Sequence, residues 1–213
     1  MSHALEPVSV PAQQRVDAYL PPFAPAQRLD TAAPSGWGNV VSPDMYNRHR
    51  QDIEAAMGRV ATLAAEADRE WAEATGRSWG VVERYRCDGA ACVVVAMGSL
   101  CGTVREAVDA LRDAGVAVGL LKLRLFRPLP AAALRAALAD VPDVIVLDRD
   151  HSPGCGGVLH QELRAALYGM SGAPRIHGYL AGVGGLNVAP EHIEAFVRRA
   201  LAGTPQPHSE WVR

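Results

Sequence analysis

From residue 80 onward, four apolar runs recur, each followed by a loop and an amphipathic stretch, and this recurrence rules out most folds. The runs occupy 91–97, 117–123, 143–148 and 175–180. The first, Ala91-Cys92-Val93-Val94-Val95-Ala96-Met97, is apolar without interruption. A strand with one face in water would alternate apolar and polar residues, so this run belongs to a strand covered on both faces. Helical patterns follow at 103–114, 131–139, 157–168 and 190–201. In the first of them Val104, Ala107, Val108 and Leu111 fall three and four residues apart, on one face of a helix. A strand, loop and helix in about 30 residues is the length of a βαβ crossover, whose strands are parallel. The stretch 81–85 reads as a further strand at an edge. The units share no repeated signature, so they do not form a solenoid. The expectation for 80–203 is an α/β domain of three layers, α/β/α, on a mostly parallel sheet.

The first part of the chain reads differently. Residues 1–43 carry Pro7, Pro11, Pro21, Pro22, Pro25, Pro34 and Pro43. Each removes a backbone donor and restricts its predecessor, so a long helix or a central strand is excluded. Val8, Val10, Val16, Tyr19, Leu20, Phe23 and Trp37 nevertheless need cover. An extended arm lying on a neighbouring surface meets both requirements, with a flexible leader as the alternative. Residues 44–79 hold a long connector helix, with Met45, Ile53, Met57, Val60, Leu63 and Trp71 near helical spacing and Gly76 as its C-cap. Residues 204–213 are left as a C-terminal tail.

Charge and cysteine content exclude several classes of function. The formal net charge of the 213 residues is −2, with both signs interspersed, which argues against nucleic acid or an anionic membrane surface. No apolar run approaches the roughly 20 residues that span a bilayer. The residues after Met1 lack a basic segment followed by an apolar one, so the expected location is cytoplasmic. Cys87, Cys92, Cys101 and Cys155 show no C-x-x-C spacing. They read as reduced thiols, and no metal is expected in this chain.

Ligands of an open α/β sheet meet the loops at the carboxyl ends of its strands, here 97–103, 124–130, 149–157 and 181–189. In the first, Gly98, Ser99, Gly102 and Thr103 open a helix and are candidates for holding an anion. The loop lacks the Lys-Ser/Thr pair of a P-loop and the serine of a nucleophile elbow, so a tight turn capped by Ser99 or Thr103 is the plainer reading. Asp148, Asp150 and His151 are too close in sequence to build a triad, and an internal pairing of Arg149 with an aspartate is expected instead. Gly182-Val183-Gly184-Gly185 lacks the third glycine of the dinucleotide fingerprint. Surface or cap roles suffice for the histidines. Arg127, before Pro128-Leu129-Pro130, is presented from a stiff support. It is expected either to pair within the domain, with Asp148 or Asp150, or to contact a partner or an anion.

Three stretches together resemble one family. They are Val93-Val94-Val95-Ala96-Met97-Gly98-Ser99 with Gly102-Thr103; Val118-Gly119-Leu120-Leu121-Lys122-Leu123-Arg124-Leu125-Phe126-Arg127-Pro128-Leu129-Pro130; and Val146-Leu147-Asp148-Arg149-Asp150 through Gly154-Cys155-Gly156-Gly157. They are similar to the second domain of the α subunit of pyruvate:ferredoxin oxidoreductase and its 2-oxoacid relatives, a domain resembling the C-terminal domain of transketolase. Ser2-His3 with Val16-Asp17-Ala18-Tyr19-Leu20-Pro21-Pro22 resembles the passage from the family's first domain to its second, and Gly76-Arg77 and Tyr85 continue the match. Leu129 stands where the family usually has phenylalanine, and Leu186-Asn187 where it usually has Arg-Asp. These departures point towards a 2-oxo acid other than pyruvate.

The resemblance implies a subunit of an enzyme that decarboxylates a 2-oxo acid oxidatively, passing electrons through iron–sulfur clusters and the acyl group to coenzyme A. In that family, thiamine diphosphate, Mg2+ and 4Fe–4S clusters are held by other domains and subunits. The resemblance therefore implies no catalytic residue and no cofactor in this chain. Its partners would be the thiamine-binding, γ and ferredoxin-like subunits, with ferredoxin or another acceptor serving the whole complex. The competing readings are the equivalent domain of a 2-oxoacid dehydrogenase E1 β chain, and an independent anion- or nucleotide-binding module using 98–103.

Overall fold

The computed structural model describes residues 8–36, 38 and 40–212, so the expectations at Ser2-His3 and Trp37 lie outside the described residues. The chain divides into two compact units, Met1–Ser78 and Trp79–Arg213.

In the first unit, helix α1 (Gln13–Tyr19) occupies a proline-free stretch between Pro11 and Pro21, where extended chain was expected. Helix α2 (Pro43–Thr75) runs for 33 residues. Its start is set by Ser42, whose hydroxyl accepts the Met45 N–H at 3.3 Å, and by Pro43 in the first turn. It stops at Gly76, which takes the left-handed φ of 75° that a side chain would oppose. No residue of α2 is buried.

The second unit is a six-stranded sheet between two helical layers. Its strands are β1 (Val82–Tyr85), β2 (Cys92–Met97), β3 (Val118–Leu123), β4 (Asp143–Asp148), β7 (Arg175–Leu180) and β8 (Glu210–Trp211). They lie in the order β1-β3-β2-β4-β7-β8, and only β1 is antiparallel to its neighbour. A small hairpin, β5 (His151–Ser152) with β6 (Gly156–Gly157), stands apart. The expected three-layer, mostly parallel α/β architecture is what the chain adopts.

Alternation along the strands divides the core. Cys92, Val94 and Ala96 of β2 face helices α3 (Leu100–Asp113) and α6 (Pro190–Ala202). Val93 and Val95 face α4 (Ala131–Leu138) and α5 (Val158–Leu167). Both sets are fully buried, which accounts for the unbroken apolar run. Tyr179 stacks on Phe196 of α6 with ring centres 4.5 Å apart. The steps from β4 to β7 and from β7 to β8 go the same way across the sheet. One passes through α5 and the other through α6 on the opposite face, so the last connection has the opposite hand. Residues 204–213, expected as a tail, thus contribute an edge strand.

The turn between β1 and β2 is locked from outside. The guanidinium of Arg112 on α3 donates to the carbonyls of Val118 and Arg86. Arg86 has a φ of 52°, and the chain after it passes so close to β3 that a Cβ on Gly119 would sit 2.7 Å from the Cys87 Cα. At the amino ends of β4 and β7, buried Asp143 accepts from Arg175 at 2.7 Å and pairs with His177 at 3.0 Å.

Candidate functional site

A single hydrogen-bonded network crosses the carboxyl end of the sheet, and Asp148 is its centre. This last residue of β4 is only 1% exposed, and its two carboxylate oxygens accept the backbone N–H groups of Leu159 and His160 at 3.0 and 2.9 Å. It therefore caps α5 from a neighbouring strand, satisfying donors that the helix start leaves unpaired. Burial pushes the Asp148 carboxyl up, and the two N–H donors partly oppose that. Gly157 lies so close that a Cβ there would collide with the Asp148 carboxylate.

His160, fully buried, packs its ring on the backbone of β7, where a Cβ on Gly178 would sit 2.5 Å from Nδ1. Nδ1 shares a hydrogen bond of 2.9 Å with the Ser209 hydroxyl, which also accepts the Gly157 N–H at 3.2 Å. Burial holds the imidazole down at about 4, with the charges of Arg164, His208 and His177 adding to the effect. A serine beside a histidine invites comparison with a nucleophile and its base. Here the ring is out of reach of solvent, its Nε2 has no partner among the described residues, and Asp148 binds the backbone rather than the ring. An orienting carboxylate and a base poised near neutrality are both missing. The pair is a clasp that fastens the segment before β8 to the domain. Surface or cap roles were expected for all the histidines. His160 and His177 depart from that, whereas His192 caps α6 through a bond of 3.0 Å to the Ala189 N–H.

The remaining strand ends are also tied internally. Arg127 pairs with Glu162 of α5 at 2.7 Å, bonds the Phe126 carbonyl at 3.1 Å and lies over the Phe126 ring. Its partner is thus on the neighbouring helix; Asp148, the expected one, is occupied by α5. About half of the Arg127 side chain remains exposed. Arg149 bonds the Gly182 carbonyl at 3.5 Å, not an aspartate, and His151 meets the Trp211 ring edge-on at 4.8 Å. Gly98 takes a φ of 68°, and α3 begins at Leu100, so Gly102 and Thr103 lie inside its first turn. Ser99 makes no side-chain cap; the N–H groups of Cys101 and Gly102 turn back to the carbonyls of Gly98 and Ser99 at 3.3 and 3.2 Å. The structure places Gly98 and Arg124 at neighbouring strand ends, because Met97 and Leu123 are register partners.

No cluster of three metal-ligating side chains occurs among the described residues. Cys87, Cys92 and Cys101 are buried and Cys155 is exposed near the hairpin. Burial, with the Asp143 charge, pushes the Cys92 thiol up to about 12, so it stays protonated. No helix among the described residues is long and apolar enough to cross a membrane.

Sequence reasoning missed Asp148 as a cap, and His160 and Ser209 as a clasp. The available signal was a pair of glycines, Gly157 and Gly178, the second inside a strand, where glycine marks close approach of other groups. Ser209 itself gave none, being 49 residues from its histidine.

Residues 90–193 match the family described as pyruvate:ferredoxin oxidoreductase core domain II. The pyruvate synthase subunit PorA of Methanothermobacter thermautotrophicus is 41% identical over 212 residues, covering 100% of this chain and 54% of that protein. The ketoisovalerate oxidoreductase subunit VorA of Pyrococcus abyssi is 35% identical over 197 residues, covering 92% of this chain and 50% of that protein. A solved 2-oxoglutarate:ferredoxin oxidoreductase from Magnetococcus marinus superposes on 79% of this chain and 24% of its own, at 22% identity and a TM-score of 0.48. The chain spans about half the length of the curated relatives it matches. Full-length likeness to these α-type subunits, with the domain match at its centre, makes the chain a member of the 2-oxoacid:ferredoxin oxidoreductase family, in its core domain II branch.

Proposed function

We propose that this chain serves as a non-catalytic structural and assembly component, equivalent to the C-terminal half of the α subunit, in a thiamine diphosphate-dependent 2-oxoacid:ferredoxin oxidoreductase. The observation that carries this reading is the match of the whole chain to half of a pyruvate synthase subunit. The internal ties at the strand ends support it, since the polar groups there hold loops in place. The complex would decarboxylate a 2-oxo acid oxidatively in the cytoplasm. Thiamine diphosphate, Mg2+, 4Fe–4S clusters and coenzyme A would reside in the thiamine-binding, γ and ferredoxin-like subunits, with ferredoxin or another acceptor taking the electrons. Relatives named for pyruvate and for ketoisovalerate leave the 2-oxo acid to be found by assay.

Arg127 is the proposed contact to a partner subunit or to an anion, with Gly98, Ser99, Gly102 and Thr103 as a weaker anion candidate. Its pairing with Glu162 is half exposed and so easily exchanged for a stronger carboxylate or phosphate. Size-exclusion chromatography with and without co-expressed subunits tests the main reading. Co-elution with a thiamine-binding subunit is expected, together with no activity in the isolated chain. A well-behaved monomer that never co-purifies with such a subunit overturns it.

A further inference from the structure

The apolar stripe of α2 is covered at one end only. Taking 100° per residue, Met45, Tyr46, Ile53, Val60, Leu63 and Trp71 fall within an arc of about 100°. Near the carboxyl end of the helix, α1 supplies cover: the Tyr19 ring meets Trp71 edge-on at 5.3 Å, and its hydroxyl donates to the Ala67 carbonyl at 3.2 Å. At the amino end, Met45, Tyr46 and Ile53 are 43%, 57% and 52% exposed. Arg48 and Arg50 lie beside them, and neither forms an ion pair among the described residues. Three apolar side chains on one face with cations alongside form a docking surface rather than scattered exposure.

Length identifies the occupant. The chain accounts for 54% of the Methanothermobacter subunit, so nearly as much polypeptide again lies outside the matched stretch. A second copy fits less well. An antiparallel two-fold pairing of α2 centred on this end would set Arg50 against its own copy, a like-charge contact. We infer that the open end of α2, from Met45 to Ile53, docks an apolar, carboxylate-flanked surface on the polypeptide that supplies the remainder of the subunit. This rests on the proposed function and specifies where that assembly is held.

The test uses the full chain, co-produced with the companion polypeptide homologous to the unmatched half of the Methanothermobacter subunit. Binding is read by sedimentation and titration. Ile53→Asp and Tyr46→Asp are expected to weaken the complex at least tenfold, about 1.4 kcal/mol, with circular dichroism and melting unchanged. Ile53→Leu should bind as the wild type does. If the wild type binds and both aspartate variants bind within twofold of it, the inference fails while the proposed function stands. If the wild type does not bind the companion, the proposed function fails and takes the inference with it. If the isolated chain dimerises and Ile53→Asp makes it monomeric, the occupant is a second copy and the inference is overturned.

Discussion

Residues from Trp79 onward and those before Ser78 satisfy their apolar side chains in different ways. The sheet domain buries a cluster on each face, with Val94, Val104, Ile145 and Val197 in one and Val95, Leu134, Val146 and Leu163 in the other, all at 0% exposure. In the other unit, a helix of 33 residues buries nothing, and Phe23 of the arm is 94% exposed. Its charged face makes ion pairs such as Arg69 with Glu73 at 2.7 Å, each worth only a few tenths of a kcal/mol. Helices in proteins draw most of their stability from packing an apolar face. One region thus carries its own stability, and the other is shaped for a surface it does not contain.

The contrast breaks most sharply at Gly119. Alanine there would drive a Cβ into the backbone of Arg86 and Cys87, at 2.8 and 2.7 Å, and backbone held by Arg112 has nowhere to move. Gly119→Ala should cost about 4 kcal/mol or abolish folding, measured by chemical denaturation. A cost below about 1 kcal/mol would mean that this part of the domain is looser than described.

Acid should act next, through His160. Its folded value of about 4 lies below the unfolded value near 6.5, so the unfolded chain binds the extra proton. Stability from this group is therefore complete above pH 6.5 and lost as pH falls towards 4, by about 3 kcal/mol. Asp148 acts in the opposite sense, since its raised value favours the fold where the carboxyl is protonated. His160→Asn keeps a hydrogen-bonding atom at the δ position, and its denaturation midpoint should stay flat between pH 6.5 and 4. An equal slope in both proteins would remove His160 from the account.

Arg112→Met removes a guanidinium that bonds the carbonyls of Val118 and Arg86 while keeping a stem of similar length. A loss of about 2 kcal/mol is expected, as for bonds to a charged donor. The smallest effect belongs to the other region: Ile53→Asp should change the stability of the isolated chain by less than about 0.5 kcal/mol. A large loss there would show that α2 is already packed, and the comparison would collapse.

Most of the sheet domain was legible because burial on both faces leaves a trace in composition. The strands at 143–148 and 175–180 have the bounds read from the sequence. The start of α3 was set three residues late, because Leu100 and Cys101 read as part of a glycine turn although both are buried in the first helical turn. Strand β8 has two residues and follows Pro205 and Pro207, too little for any periodicity to register. The carboxyl-end network was less legible still. Arg127 stood out by its prolines, but its partner Glu162 is 35 residues away on a helix whose orientation depends on Asp148. Local pattern marks which side chains are presented; the pairing follows from topology.

The uninterrupted length of α2 has a mechanical consequence. At 1.5 Å per residue its 33 residues make a rod of about 50 Å. Such a rod fixes both a span and a bearing between whatever is gripped at its two ends. One residue inserted beside Gly58 would lengthen it by only about 1.5 Å but swing the far end through about 100°, whereas seven would add about 10 Å and return the bearing to within about 20°. The helix would therefore tolerate a change of length in whole heptads far better than a change of one residue, as a spindle keyed at both ends must.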